Sequence, residues 1–241
     1  MSNYKILSVN ADAKTRKGNG DEYLTGILYM TPFKLMVDGK ARNSCPMAEQ
    51  AGCVVGCLNT AGRGQMNSVQ AARLRKAEWF YRDRDTFMRQ LMQDIAKLQN
   101  YCLKRGIQPC VRLNGTTDIR WELHKIDGYT LFELFPRVQF YDYTKIGNRN
   151  VSHIQNYHLT WSYSNANAAY AKQMDAALSN GMNVAVVFRH KMAIPVGKWR
   201  GVPVLDGDKD DLRFKDPAGH IVALYAKGAA KHDTSGFVVD V

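Results

Sequence analysis

The run Tyr157-His158-Leu159-Thr160-Trp161, followed by Ala166-Asn167-Ala168-Ala169-Tyr170-Ala171-Lys172-Gln173-Met174-Asp175-Ala176-Ala177-Leu178 and then Val184-Ala185-Val186-Val187-Phe188, decides the fold. The first and last pieces are strand-length and rich in β-branched and aromatic residues. The middle is an alanine-rich helical segment that Ser164 or Asn165 can cap. Strand, helix, strand implies parallel pairing, because a parallel connection needs a crossover of about a dozen residues. Outward from this unit, further β-rich runs occur at 110–113, 138–141, 202–205 and 221–225. Upstream, Val69, Leu74, Trp79, Phe80, Phe87, Leu91, Ile95, Leu98 and Cys102 recur at helical spacing. Arg82-Asp83-Arg84-Asp85 interrupts them, which gives two helices or one bent one, and Gly106 is a suitable stop. The first forty residues read as strands at 6–9 and 23–30 around a polar turn at 14–21.

The expected fold class is α/β: a complete or partial α/β barrel with an N-terminal β extension and a cysteine-rich cluster loop, with an open doubly wound sheet as the alternative. One domain is expected over 1–241, divided into N-terminal strands (1–40), a cysteine loop (41–66), helices (67–105) and α/β repeats (106–241). At 241 residues, 45% hydrophobic and 23% charged, the chain can bury a core without disulfide staples. The N-terminal Met1-Ser2-Asn3-Tyr4-Lys5 does not begin a secretion signal, and no run approaches the ~18 apolar residues of a membrane span. A cytoplasmic protein without a membrane partner is expected. Its net charge of +11, from 33 basic and 22 acidic residues, would attract a polyanion such as nucleic acid. Oligomeric state is not legible.

Chemistry concentrates in Asn43-Ser44-Cys45-Pro46-Met47-Ala48-Glu49-Gln50-Ala51-Gly52-Cys53-Val54-Val55-Gly56-Cys57-Leu58-Asn59-Thr60-Ala61-Gly62-Arg63-Gly64. Cys45, Cys53 and Cys57 are spaced C-x7-C-x3-C. Five cysteines in a chain without an export signal point to metal or redox chemistry rather than to a disulfide framework. Thiolates suit iron–sulfur clusters, zinc and Cu(I), and a short loop gathers three of them at small entropic cost. Three ligands would leave one iron of a [4Fe–4S] cluster open, whereas a fourth ligand would close the site and make it structural, with zinc as the alternative metal. Cys102 and Cys110 fit core packing better, and His158 is the histidine least unlike an extra ligand.

These residues resemble the phage gene product eighty-eight family, through Cys45-Pro46, Cys53, Cys57, the continuation Asn59-Thr60-Ala61-Gly62-Arg63-Gly64, and farther on Arg120-Trp121-Glu122, Tyr141-Asp142-Tyr143-Thr144-Lys145 and Asp233-Thr234-Ser235-Gly236-Phe237. The resemblance implies a phage or prophage origin, hence the host cytoplasm, and carries no activity. A looser one is to radical S-adenosylmethionine enzymes, which set three cysteines in a loop early in an α/β barrel, usually spaced C-x3-C-x2-C. It implies Cys45, Cys53 and Cys57 as [4Fe–4S] ligands and S-adenosylmethionine as a small-molecule cofactor.

In α/β folds ligands sit at the carboxyl ends of the strands. The polar residues there are Arg112, Asn114, Asp118 and Arg120, then Asp142, Tyr143 and Lys145, then Ser162, Asn165 and Arg189, and finally Asp206 and Asp208. Asp118, Arg120, Asp142 and Lys145 are the expected catalytic residues; Asn59, Arg63, Asn114, Ser162 and Arg189 are expected on the cofactor. The chain has no P-loop, G-x-S-x-G elbow or H-E-x-x-H helix, so hydrolase and nucleoside triphosphatase chemistry lacks support. The expected function is an iron–sulfur enzyme resembling the radical S-adenosylmethionine class, its substrate open and a nucleotide or nucleic acid among the options. The alternative is a non-enzymatic phage protein whose structural metal supports binding to nucleic acid or a host protein.

Overall fold

A computed structural model describes residues 5–9 and 22–240, so the polar turn expected at 14–21 lies outside the described residues. The chain begins with β1 (Leu7–Val9), β2 (Tyr23–Leu28) and a hairpin of β3 (Lys34–Val37) and β4 (Lys40–Asn43). After the cysteine segment come α1 (Asn67–Arg82) and α2 (Arg84–Leu103). Then follow β5 (Gln108–Arg112), a small hairpin of β6 (Lys125–Ile126) and β7 (Tyr129–Thr130), the single turn α3 (Leu131–Leu134), β8 (Gln139–Thr144) and β9 (Tyr157–Ser162). The last third holds α4 (Ala168–Ala171), α5 (Gln173–Ser179), β10 (Asn183–Phe188), β11 (Lys198–Trp199), β12 (Val202–Asp206) and β13 (Ile221–Tyr225).

Nine strands form one sheet in the order β1-β2-β5-β8-β9-β10-β13-β12-β11. Every neighbouring pair from β2 to β12 is parallel, and only the outermost strands run antiparallel. The expected complete barrel does not form: among the described residues β1 and β11 end the sheet, and no pairing joins them. A doubly wound sheet reverses its strand order in the middle, whereas here β2, β5, β8, β9, β10 and β13 advance in one direction.

Local chemistry explains the element ends. Asp83 separates the two long helices and caps the second, its carboxylate accepting from the Thr86 N–H at 3.1 Å. The expected single helix over 166–178 is two short ones, and neither expected cap is used. Asn167 caps instead, accepting from Ala169 N and Tyr170 N at 2.8 and 3.2 Å, while the Ser164 hydroxyl donates to the Gly236 carbonyl. The hairpin of β3 and β4 was not anticipated, although Asp38-Gly39, both at positive φ, is the turn pair that two-residue hairpins favour.

The main core lies on one face, where Ala77, Phe80, Phe87, Leu91, Ile95 and Leu98 of α1 and α2 meet strand residues from Leu24 through Val111, Phe140 and Leu159 to Val186. Asp94 of α2, fully buried, accepts from the backbone N–H groups of Ile6 and Leu7 at 2.7 and 3.1 Å and so ties β1 to the helix layer. On the other face Cys110, Tyr141 and Leu212 form a smaller cluster beside Tyr23 and Phe214. Cys102 and Cys110 are both fully buried, as their apolar settings imply.

Candidate functional site

The loops leaving the carboxyl ends of β2, β5, β8 and β9 meet at one place. Gly115 N and Thr116 Oγ1 donate to the Leu28 and Met30 carbonyls, at 3.0 and 2.5 Å, and Asp118 N donates to the Ser44 carbonyl at 2.8 Å. Asp118 in turn accepts from Thr144 Oγ1 and Lys145 N, both at 2.8 Å. Lys145 Nζ donates to Ser162 Oγ at 2.8 Å and lies 4.5 Å over the Phe237 ring. Ser44 and Cys45 therefore sit where four consecutive parallel strands deliver their polar ends.

The cysteine segment is a series of turns, with Ala48 N, Ala51 N and Cys53 N donating to Cys45, Met47 and Ala48 carbonyls. Gly52 permits its close approach to the C-terminal segment. It has φ +62°, and a Cβ there would stand 2.6 Å from Ser235 Oγ and 2.7 Å from the Ala166 Cβ. Ser235 Oγ donates to the Gly52 carbonyl at 2.7 Å, so residues 233–239 hold the loop from above.

The three thiols share one electrostatic neighbourhood. Burial pushes Cys45 up to about 12; the Phe33 backbone amide opposes this, and Asp118, Cys57 and Cys53 add to it. Burial likewise raises Cys57, whose sulfur accepts from Asn59 N at 3.5 Å, and the charges of Lys145 and Arg73 act in the opposite direction. Phe33 presents its amide from a left-handed backbone (φ +61°), a conformation that costs a non-glycine residue about 1 kcal/mol. Among the described residues, no three histidine, cysteine, aspartate or glutamate side chains stand together as a metal-binding group.

Of the expected site residues, Asp118, Lys145 and Ser162 stand with the cysteines. Asn59 lies directly beneath Cys57, 9% exposed. Asn114 is buried, and its amide is used within its own loop: Oδ1 accepts from Thr117 Oγ1, Ile119 N and Trp121 Nε1, and Nδ2 donates to the Ile119 carbonyl. Asp142 is fully buried under the rim, accepting from Asn114 N at 2.8 Å and Tyr157 Oη at 3.1 Å, and burial pushes its carboxyl up to about 7. Arg63 is exposed, and Arg120 points outward against Glu122 at 3.3 Å. Arg189 grips Asp240 with two hydrogen bonds of 2.8 and 2.9 Å, and so fastens the C-terminal segment.

The outer rim residues are likewise engaged: Arg112 pairs with Asp211 at 2.7 Å, Asn165 accepts from Tyr163 Oη, Asp206 accepts from Asp208 N, and Asp208 meets Lys227. Tyr143 sits on the Arg112 face of the sheet, its ring 5.3 Å from that guanidinium. His158 stands near the amino end of β9, where burial and then Arg213 push it down to about 4.

Sequence reading missed Arg149, whose fully buried guanidinium meets Glu122 at 2.6 and 3.0 Å and Asp118 at 3.3 Å, locking the β5 loop to the β8 loop. It also missed Arg73 and Gln70 of α1. The available signal was that Arg73 shares the inward i, i+4, i+7 stripe with Ala77 and Phe80.

Among the described residues no helix is long and apolar enough to cross a membrane. No curated protein and no solved structure matches the chain. The family model of Gene product 88 matches residues 5–241, nearly the whole sequence, and the chain therefore belongs to this family of phage gene products.

Proposed function

We propose that this protein is an iron–sulfur enzyme whose centre is held by Cys45, Cys53 and Cys57 and which uses S-adenosylmethionine on a substrate seated at the carboxyl edge of the sheet. The observation that carries the reading is the placement of three mutually interacting thiols, in the loop region following the first parallel strand, over the converging ends of β2, β5, β8 and β9. Strands that advance in one direction are the arrangement of a partial barrel, and they support that description of the sheet. The donor set is of the soft kind a cluster takes, although among the described residues its members do not stand together as a metal-binding group. The sulfurs are soft ligands, Cys45 and Cys57 each receive a backbone amide that favours thiolate, and Lys145 places a cation beside them. Bound there, a [4Fe–4S] cluster with an open iron would supply an electron for cleaving the cofactor.

The chain's own residues bind and orient. Lys145 and Ser162 form a donor pair suited to a carboxylate or phosphate, and Asp118 holds the Lys145 backbone in place. The Phe237 ring lies over Lys145, and Ser235 ties the C-terminal segment to the loop at Gly52. The formal charge of +11 favours an anionic substrate, with a nucleotide or nucleic acid as the class to test first.

A second reading is favoured by the stitching of the cysteine loop to the C-terminal segment. A zinc ion or fully ligated cluster there would be structural, in a protein that binds nucleic acid or a host protein. The test is anaerobic purification followed by iron, sulfide and zinc analysis and visible spectra with and without S-adenosylmethionine. About four irons and four sulfides per chain, lost in Cys53→Ala, with a spectral response to the cofactor, are expected. Zinc alone favours the second reading, and full metal retention in Cys53→Ala overturns both.

A further inference from the structure

We propose that a groove at the amino edge of the sheet binds single-stranded nucleic acid. It lies at the opposite end of the strands from the cysteines, about 20 Å away along the six-residue β2. It needs no metal, and it gives a place to the nucleic-acid partner named above. The groove has a volume of about 760 Å³ and opens where β2, β5 and β8 begin and α2 ends. That volume falls within the range of about 300–1,000 Å³ usual for ligand sites. Its floor is apolar and aromatic. Tyr23 and Phe214 meet edge to face with ring centres 5.4 Å apart, and Leu103 and Ile107 continue the surface. Tyr141 packs on Phe214 at the same distance and holds it in place. Leu103 is 51% exposed, so this apolar surface is open to a partner.

Cations alternate with these rings. Lys104 and Arg105 stand between the lining residues Leu103 and Gly106, and both are exposed. The Arg105 guanidinium lies 4.4 Å from the centre of the Tyr101 ring, itself 37% exposed, and Lys215 Nζ lies 5.0 Å from the centre of the Tyr23 ring. Exposed Arg137 joins the rim through its carbonyl, which accepts from Gln108 Nε2 at 2.8 Å. Against these cations stands Glu22, whose pair with Lys215 at 3.4 Å is exposed on both sides and therefore weak. A polyanion is the complementary partner. The rings choose among polyanions: unpaired bases stack on aromatic faces, whereas a duplex keeps its bases inside and an acidic peptide has none. Gln108 and Gln139 donate their Nε2 groups to backbone carbonyls rather than into the groove, so binding should tolerate any base sequence.

The experiment measures binding of the full chain to a fluorescent oligothymidylate of about 12 nucleotides across a range of salt, with the matching duplex and polyglutamate as competitors. Affinity should fall with salt at a log–log slope of about −3, as four neutralised phosphates contribute about −0.7 each. Arg105→Gln and Arg137→Gln should each reduce that slope by about 0.7. Tyr101→Ala and Tyr23→Leu should each weaken binding at least about fivefold, the lower end for one stacked base. Lys191→Gln, which removes an exposed cation beyond the carboxyl end of β10, should change neither quantity. No binding by the parent at about 50 mM salt, equal binding of the duplex, displacement by polyglutamate at equal charge, or an effect of Lys191→Gln equal to that of Arg105→Gln overturns the proposal. Should Tyr23→Leu fail to fold, the exposed Tyr101→Ala and Arg105→Gln decide. Metal analysis of the same samples keeps the two readings apart: a metal-free chain that binds the probe refutes the iron–sulfur reading alone, and a metal-loaded chain that ignores it refutes this one alone.

Discussion

Replacing Arg149 by Met should be the most damaging single change at the strand ends away from the cysteines. The side chain has no exposed surface and closes a bidentate pair with Glu122 (2.6 and 3.0 Å), an ion pair with Asp118 (3.3 Å) and a hydrogen bond to Tyr157 Oη (2.9 Å). Methionine fills similar space but takes the buried cation from Asp118 and Glu122, each no more than 8% exposed, leaving Glu122 only the half-exposed Arg120. Breaking a buried pair in this way costs about 3–5 kcal/mol, or roughly 6–20 °C in melting temperature for a chain of this size. The pH dependence gives the sharper check. In the parent, burial raises Glu122 but the hydrogen bond and charge of Arg149 outweigh it, leaving the carboxyl below its usual range. Its contribution to stability is therefore present at neutral pH and lost as pH falls through its folded value. In the variant burial is opposed only by the contacts that remain, Arg120 on Glu122 and Thr144 and Lys145 on Asp118, so both carboxyls take up protons more readily when folded, and the penalty shrinks as pH falls from 7 towards 4.5. Urea denaturation at pH 7 and pH 5 measures both effects, and Glu122→Gln added to the variant should recover part of the loss. A loss below about 1 kcal/mol at pH 7, or one of equal size at both pH values, would refute the reasoning.

Asp142→Asn tests a group of opposite sign. With its folded carboxyl raised to about 7 by burial, the parent should gain stability as pH falls from about 8 towards 5, by at most about 4 kcal/mol, and the variant should lose that slope in chemical denaturation across the same range; an unchanged slope rules out Asp142 as its source. Gly52→Ala should cost about 2–4 kcal/mol, because a left-handed alanine is forced against Ser235 and Ala166. Gly39→Ala, at φ +72° with nothing within 4 Å, should cost only about 1 kcal/mol, and equal melting shifts in the two would show that the C-terminal segment does not press on the cysteine loop.

Much of the secondary structure was legible because its signals are local. A short apolar run placed the strand Ile221–Tyr225 with its bounds unchanged, and the charged break around Asp83 marked the point where one helix ends and the next is capped. The Asp38-Gly39 hairpin was equally local and was overlooked. The spacing of three cysteines within the thirteen residues from Cys45 to Cys57 is equally legible in a short window.

Partnerships across long sequence separations were a different matter. Asp142 reads as a free strand-end carboxylate, yet Asn114 and Tyr157 enclose it; Arg189 reads as a rim residue, yet its charge is taken by Asp240, 51 positions away. The edge strands that leave the sheet open, and the sealing of the cysteine loop by Ser235 from 183 residues farther on, are likewise invisible to any short window. The sequence by itself determined most of the segments that become strands and helices and that three cysteines lie close along the chain, because periodicity and residue spacing are properties of neighbouring residues. Only the tertiary structure decided strand order and the identity of the charges beside those thiols, because burial assigns a polar side chain its partner only when distant segments pack together.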